Sequence, residues 1–265
     1  MNLTRNLLAA SLLLLAACNG TENPGTDTGS SAPTVPLLSY TVGGNLPHDT
    51  SSFTEGLSFY KGQLWESTGE YGESKLLLTD LKTGKALKTV TLDSALFGEG
   101  VVIVNDTIYQ LTWREHKVLV YDVNTLKKLK ELPLQTEGWG LTTDGNDLIA
   151  SDGSSNLSFY EPGTFRLLRT QGVTENGNPV SNINELEWVN GYVYANVWGK
   201  DDLLKIDPAS GQVKGRLDLS QLTARAKSLY PGADVANGVV YNPDTKKFYV
   251  TGKNWPELYE LQFAF

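Results

Sequence analysis

A single cysteine, Cys18, and two isolated histidines, His48 and His116, are all that the chain has of the side chains that favour transition metals. One thiol cannot close a disulfide within the chain. No His, Cys, Asp or Glu cluster has the spacing of metal ligands, and neither a Gly-x-Ser-x-Gly elbow nor a glycine-rich phosphate loop occurs. Basic residues are also short, with Lys+Arg 22 against Asp+Glu 30 and a formal net charge of −8. Phosphate binding needs basic surface, so nucleic acid is set aside as a partner. The apolar stretch Leu7–Ala17 is shorter than the about 20 residues a spanning helix requires.

What is present begins with a leader. Arg5 supplies a positive start, the apolar stretch follows, and Leu15-Ala16-Ala17-Cys18 looks like a bacterial lipobox. Residues 1–17 are therefore expected to be a signal peptide, with lipid attached to Cys18. Residues 18–36 are rich in Gly, Thr, Ser, Asn and Pro, a composition that buries too little apolar surface to order itself, and read as a flexible tether. The expected location is that of an exported bacterial lipoprotein, anchored to a membrane and facing the periplasm or the cell exterior.

From residue 37 to the end, short apolar strands alternate with turn clusters. Five segments share one register: Phe53 to Trp65, Phe97 to Tyr109, Gly138 to Ile149, Asn184 to Tyr194 and Asn237 to Tyr249. Each reads as strand, tight turn and strand, the turns being Lys61-Gly62, Asn105-Asp106, Asp144-Gly145, Asn190-Gly191 and Pro243-Asp244. A third strand follows each hairpin, and a fourth follows the first four units. Four strands per roughly 40–50 residues is the pattern of a propeller blade. The fifth unit ends after its third strand, so Leu37–Gly43 is expected to supply the fourth. The chain is thus read as all-β, a five-bladed β-propeller over 37–265 closed by its N-terminal strand, against a β-sandwich as the alternative. Asp218 to Tyr230 reads as a helical insertion.

The first strand of a blade lines the central channel, so the shared register places Glu55, Glu99, Trp139, Asn184 and Asn237 around one mouth. The ends of the second strands add Gly69, Trp113, Gly153, Trp198 and Lys253. Indole walls with a few convergent polar groups suit a small polar ligand. Each residue also has a plainer reading: the tryptophans as packing between blades, Glu99 as a turn cap or a partner of Lys253, and Asn237 as part of a turn. Of Glu185 and Glu187, one is expected to face solvent; His48 and His116 read as loop residues.

The motifs Phe53-Thr-Glu-Gly-Leu57, Phe97-Gly-Glu-Gly100, Gly138-Trp-Gly-Leu141, Asn184-Glu-Leu-Glu-Trp-Val-Asn-Gly191, Ala195-Asn-Val-Trp198 and Thr251-Gly-Lys-Asn-Trp-Pro256 resemble the plant and bacterial glutaminyl cyclases from about residue 40 onward. The resemblance implies a five-bladed propeller that converts N-terminal glutamine of peptides and proteins to pyroglutamate with loss of ammonia. A monomer without a cofactor is expected. A structural cation in the channel stays open. Carried over by motif, Glu99 is the essential acid, while Phe53, Glu55, Trp113, Trp139, Asn184, Trp198 and Lys253 line the substrate pocket. Asn254 departs from the family pattern, where a larger apolar residue is expected. A non-catalytic binding module and a metal-dependent lactonase-like hydrolase remain the competing readings of the same fold.

Overall fold

A computed structural model describes residues 34–265. The expected signal peptide, the lipidation site at Cys18 and nearly all of the tether lie outside the described residues.

The strand β1 (Thr41–Pro47) precedes five repeats. Blade one comprises β2 (Thr54–Tyr60), β3 (Gln63–Thr68), β4 (Lys75–Thr79) and β5 (Ala86–Thr91). Blade two comprises β6 (Gly98–Val104), β7 (Thr107–Thr112), β8 (Lys117–Asp122) and β9 (Lys128–Pro133). Blade three comprises β10 (Leu141–Thr143), β11 (Leu148–Ala150), β12 (Asn156–Tyr160) and β13 (Leu167–Gly172). A short hairpin of β14 (Thr174–Glu175) and β15 (Asn178–Pro179) leads into blade four, which comprises β16 (Ile183–Val189), β17 (Tyr192–Val197), β18 (Asp202–Ile206) and β19 (Val213–Asp218). The helix α1 (Ser220–Leu229) then precedes β20 (Ala236–Asn242), β21 (Lys247–Gly252) and β22 (Glu257–Gln262).

Each blade is an antiparallel four-stranded sheet, and the fifth runs β20-β21-β22-β1. The inner strands β2, β6, β10, β16 and β20 form a closed ring, each against the next and β20 against β2. The apolar core is divided in the same way. One cluster joins Trp65, Leu76 and Leu78 of blade one to Val101, Ile103 and Leu119 of blade two, and four equivalent clusters fill the remaining seams. No blade buries its faces alone, so the closed ring is the unit that folds.

The closing strand lies four residues later than expected. β1 pairs with β22 from Thr41↔Gln262 to Pro47↔Glu257, whereas Leu37–Gly43 was the expected span. The earlier residues are already used. Leu38 N–H donates to Arg216 O at 2.7 Å and Arg216 N–H to Pro36 O at 3.0 Å, beside β19. Val35 N–H donates to Asn176 Oδ1 at 3.2 Å. Val35 and Pro36, read as the end of the tether, thus clip blade four before the chain closes blade five. His48 lies in the loop after β1, as expected, but that loop is packed inward. The imidazole is buried, with Nε2 3.1 Å from Glu66 Oε1 and Nδ1 2.7 Å from Trp255 O, across the seam between blades five and one.

The glycine after each channel-facing residue has a steric cause. A methyl group on Gly100 would lie 2.5 Å from Leu141 N and 2.6 Å from Trp139 O, because inner strands of adjacent blades meet backbone to backbone. In blade four the equivalent position is Glu185. Its Oε1 accepts Leu57 N–H at 3.2 Å and its Oε2 accepts Val239 N–H at 2.8 Å, so one carboxyl spans the channel between blades one and five. Glu185 is fully buried, while Glu187 is partly exposed. Glu187 Oε1 accepts Tyr241 N–H at 2.9 Å and the side chain lines a cavity at the opposite end of the channel.

Burial pushes the Glu187 carboxyl up to about 8, with bonds from Tyr241, Thr142 and Trp188 opposing. An unfolded glutamate titrates near about 4.3. The folded state holds the proton more tightly, so this contribution to stability is complete below about pH 4.3 and is lost as pH rises through about 8. Glu187→Gln keeps the acceptor for Tyr241 and has no proton to lose. It should match the wild-type thermal midpoint at pH 4 and exceed it by roughly 2–4 °C or more at pH 8. An equal or lower midpoint at pH 8 refutes burial as the cause.

Candidate active site

Four of the five inner strands carry a register irregularity at one place: between Thr54 and Gly56, Gly98 and Val101, Ile183 and Leu186, and Ala236 and Val239. An extra residue there re-aims side chains out of the alternation of the strand. The residues so placed are Glu55, Glu99, Asn184 and Asn237, and the chain turns them toward one mouth of the channel. A cavity of about 550 Å³ opens there. Every residue expected in the site lines it: Phe53, Glu55, Glu99, Trp113, Trp139, Asn184, Trp198 and Lys253.

The floor is charged and buried. Glu55 is 1% exposed and Glu99 5%. Lys253 Nζ donates to Glu55 Oε1 at 2.6 Å, while Asn237 Nδ2 donates to Glu55 Oε2 at 3.2 Å and to Thr54 O at 2.9 Å. The lysine therefore pairs with Glu55, and Glu99 lies beside Glu55, near enough for each carboxyl to shift the proton affinity of the other. Two buried carboxylates in contact cannot both be charged. Burial first, then the charge of Glu55, holds the Glu99 carboxyl well above the usual range. Burial raises Glu55 as well, but Lys253 opposes it by charge and hydrogen bond. Of the two, Glu99 holds its proton more tightly, because Lys253 lies on the Glu55 side. Asn184 completes the floor with a buried Oδ1 that has no partner among the described residues.

The walls are aromatic. Phe53 meets Phe97 edge-on at 6.2 Å, Phe97 meets Trp113 at 5.4 Å, and Trp139 meets Trp198 edge-on at 6.3 Å. Lys253 Nζ lies 4.4 Å from the centre of the Phe53 ring. The second-strand glycines give these rings room: a methyl on Gly153, whose φ is +76°, would lie 2.5 Å from the Trp139 ring, and one on Gly69 would strike Phe97. Trp198 is half exposed and forms the lip. Asn254, where an apolar residue was expected, has φ +60° and bonds Thr50 O through Nδ2 at 2.9 Å. A left-handed backbone favours asparagine over a bulky apolar side chain.

Five further residues line the cavity: Glu70, Tyr71, Phe97, Arg114 and Glu137. Phe97 was open to discovery, since it stands two residues before Glu99 as Phe53 stands before Glu55. Tyr71 packs on Phe97 at 5.4 Å and donates to Glu115 Oε1 at 2.8 Å. Tyr71 falls on no repeated position, whereas Glu137 stands two residues before Trp139, where blades one and two have Phe53 and Phe97; a carboxylate in place of a phenylalanine was not taken as a site residue. Among the described residues, no group of three or more His, Cys, Asp or Glu side chains is arranged to hold a metal ion.

A family model described as glutamine cyclotransferase matches residues 10–263. A glutaminyl-peptide cyclotransferase of Arabidopsis thaliana is 40% identical over 220 residues, covering 82% of this chain and 68% of the relative. The crystal structure of Myxococcus xanthus glutaminyl cyclase superposes with a TM-score of 0.81 at 35% identity, covering 86% of this chain and 98% of that one.

Proposed function

Because the chain belongs to the glutamine cyclotransferase family and is a glutaminyl-peptide cyclotransferase, acting on N-terminal glutamine of peptides, we propose that it closes the pyroglutamate ring by moving one proton through the Glu55–Glu99 pair. The observation that carries this reading is the placement of that pair, with Lys253 on the Glu55 side only, at the floor of an indole-walled cavity.

The substrate brings its own nucleophile and electrophile, so binding the folded-back rotamer already removes much of the entropic barrier. The α-amine titrates near about 7.7–8.0 and arrives largely as ammonium at neutral pH. Glu55, charged and opposite Lys253, is suited to draw that cation in and take its proton. The free amine attacks the side-chain amide carbon; the new C–N bond forms as the carbonyl oxygen takes up negative charge. Asn184 and Lys253 are the donors near enough to stabilise it. Glu99 delivers its proton to the amide nitrogen, the old C–N bond breaks, and ammonia leaves. The proton shed by the ring nitrogen goes to Glu99, so the pair holds two; one of these leaves with the ammonia as ammonium, and the pair again holds one. Glu99 thus begins as the acid. The indoles keep water from competing with the amine.

Ammonia release from a Gln-initiated peptide should stay within about twofold after chelation, and the acid limb of the kcat profile should lie well above the ordinary glutamate value of about 4.3. Glu55→Gln should remove that limb. Loss of activity on chelation with recovery on adding a divalent ion overturns this mechanism, as does an acid limb in the ordinary range.

The proposal extends to place. The leader residues and Cys18 support a lipoprotein that modifies exported peptides as a membrane-anchored monomer. Lipid labelling of the wild type, absent in Cys18→Ser, is the expected result.

A further inference from the structure

Glu137 lies just before blade three begins, and three donors from two blades converge on it. Its Oε2 accepts Trp113 Nε1–H at 2.9 Å and Trp139 Nε1–H at 3.2 Å, and its Oε1 accepts Arg114 Nε–H at 3.0 Å. Arg114 in turn lies 3.8 Å over the Trp113 ring. The backbone beside Glu137 is equally fixed. Gly138 N–H donates to Trp113 O at 3.0 Å, and a methyl on Gly138 would lie 2.5 Å from Thr112 O. His116 Nδ1 meets Thr136 O at 2.9 Å from the other side.

We propose, building on the mechanism above, that Glu137 is a positioning residue for the cyclisation, its carboxylate pinning the edges of Trp113 and Trp139 so that both ring faces hold the glutaminyl head over Glu99. An indole has one donor, at one edge. Tying both edges to a single oxygen fixes the rotation of two rings on different blades, which apolar packing alone leaves free. Charge-assisted bonds of this kind are stronger than neutral ones and direct the ring more firmly. Burial works against the Glu137 charge, but the three donors prevail and hold it below the usual carboxylate range. The charge also reaches the reacting pair. Glu99 is faced by Glu55 of blade one, Lys253 of blade five and Glu137, and Glu137 adds to what keeps the Glu99 proton in place. Tyr71, across the cavity, feels Glu99 in turn.

Two variants separate reach from charge. Glu137→Gln keeps the size, loses the charge and turns an amide N–H₂ toward donors. It should lower kcat roughly tenfold with KM changed far less, since a misplaced wall costs orientation more than contact. The basic limb of its kcat profile should move to lower pH, because Glu99 loses a neighbouring negative charge. Glu137→Asp keeps the charge and draws the oxygens back by one bond. It should lower kcat while leaving the basic limb where the wild type has it. A wild-type kcat in Glu137→Asp, or an unshifted limb in Glu137→Gln, overturns the proposal; if Glu137→Gln fails to fold, the aspartate variant decides alone. The underlying mechanism fails differently: Glu99→Gln then stays active whatever the Glu137 variants do.

Discussion

Glu99→Gln should slow ammonia release by about 10²- to 10⁴-fold, the usual share of a general acid–base group, while KM and the thermal midpoint hardly change. The reason lies in the resting state. Glu99 is buried and keeps its proton, so a neutral amide of the same shape replaces a neutral acid. What the variant lacks is a proton it can give away. The loss should therefore fall on kcat, as expected for an interaction made only in the transition state. Single-turnover release of ammonia from a Gln-initiated peptide, with circular dichroism to verify the fold, measures both sides of the claim. Turnover near that of the wild type removes Glu99 from the chemistry. A large rise in KM with kcat unchanged makes it a binding group instead.

The repeat explains why so much of this site could be read in advance. Glu55, Glu99, Trp139 and Asn184 stand at one register position of a closed ring, and strands of a ring share a mouth. Phe53, Trp113, Trp198 and Lys253 follow from the same symmetry, and all eight line one cavity. Residues that break the symmetry were hidden for the same reason. Glu185 occupies a position that is glycine in the other four blades, and its bonds to Leu57 and Val239 exist only once five blades have closed. Glu137 stands where blades one and two have Phe53 and Phe97, but its importance depends on where two indole edges point. The closing strand was displaced because β22 takes Thr41–Pro47, while Leu37 and Leu38 are engaged by Arg216 on another blade. Composition marks the apolar residues of both segments but not which blade each will join. His48 is a loop residue as read, but its burial was hidden because its partner, Glu66, lies on β3, where period-two reading gave no hint of an inward charge.

Lys253→Met should abolish most activity at pH 7 and return part of it at higher pH. Lys253 Nζ is 2.6 Å from Glu55 Oε1, with the two side chains 7% and 2% exposed. A buried ion deprived of its partner costs several kcal/mol if it stays charged, about 3–5 in measured cases. Glu55 has a cheaper course, which is to take up a proton. Asn237 Nδ2, at 3.2 Å, and the protonated Glu99 would remain to favour its charge, but both are weaker than the lost ammonium, and burial already raises its proton affinity. The pair then holds two protons at neutral pH, and neither oxygen can receive one from the substrate ammonium. We expect kcat to fall by roughly 10²-fold at pH 7, the lower end of the general acid–base range, with the acid limb moved to higher pH. Lys253→Arg, which keeps the positive charge, should shift the limb far less. In the double variant Glu55→Gln/Lys253→Met the second change should add little to the first, because the two residues act as one unit. Should Lys253→Met keep the wild-type acid limb, the ion pair does not set the charge of Glu55, and the proton in this site is held by something other than the balance among Lys253, Glu55 and Glu99.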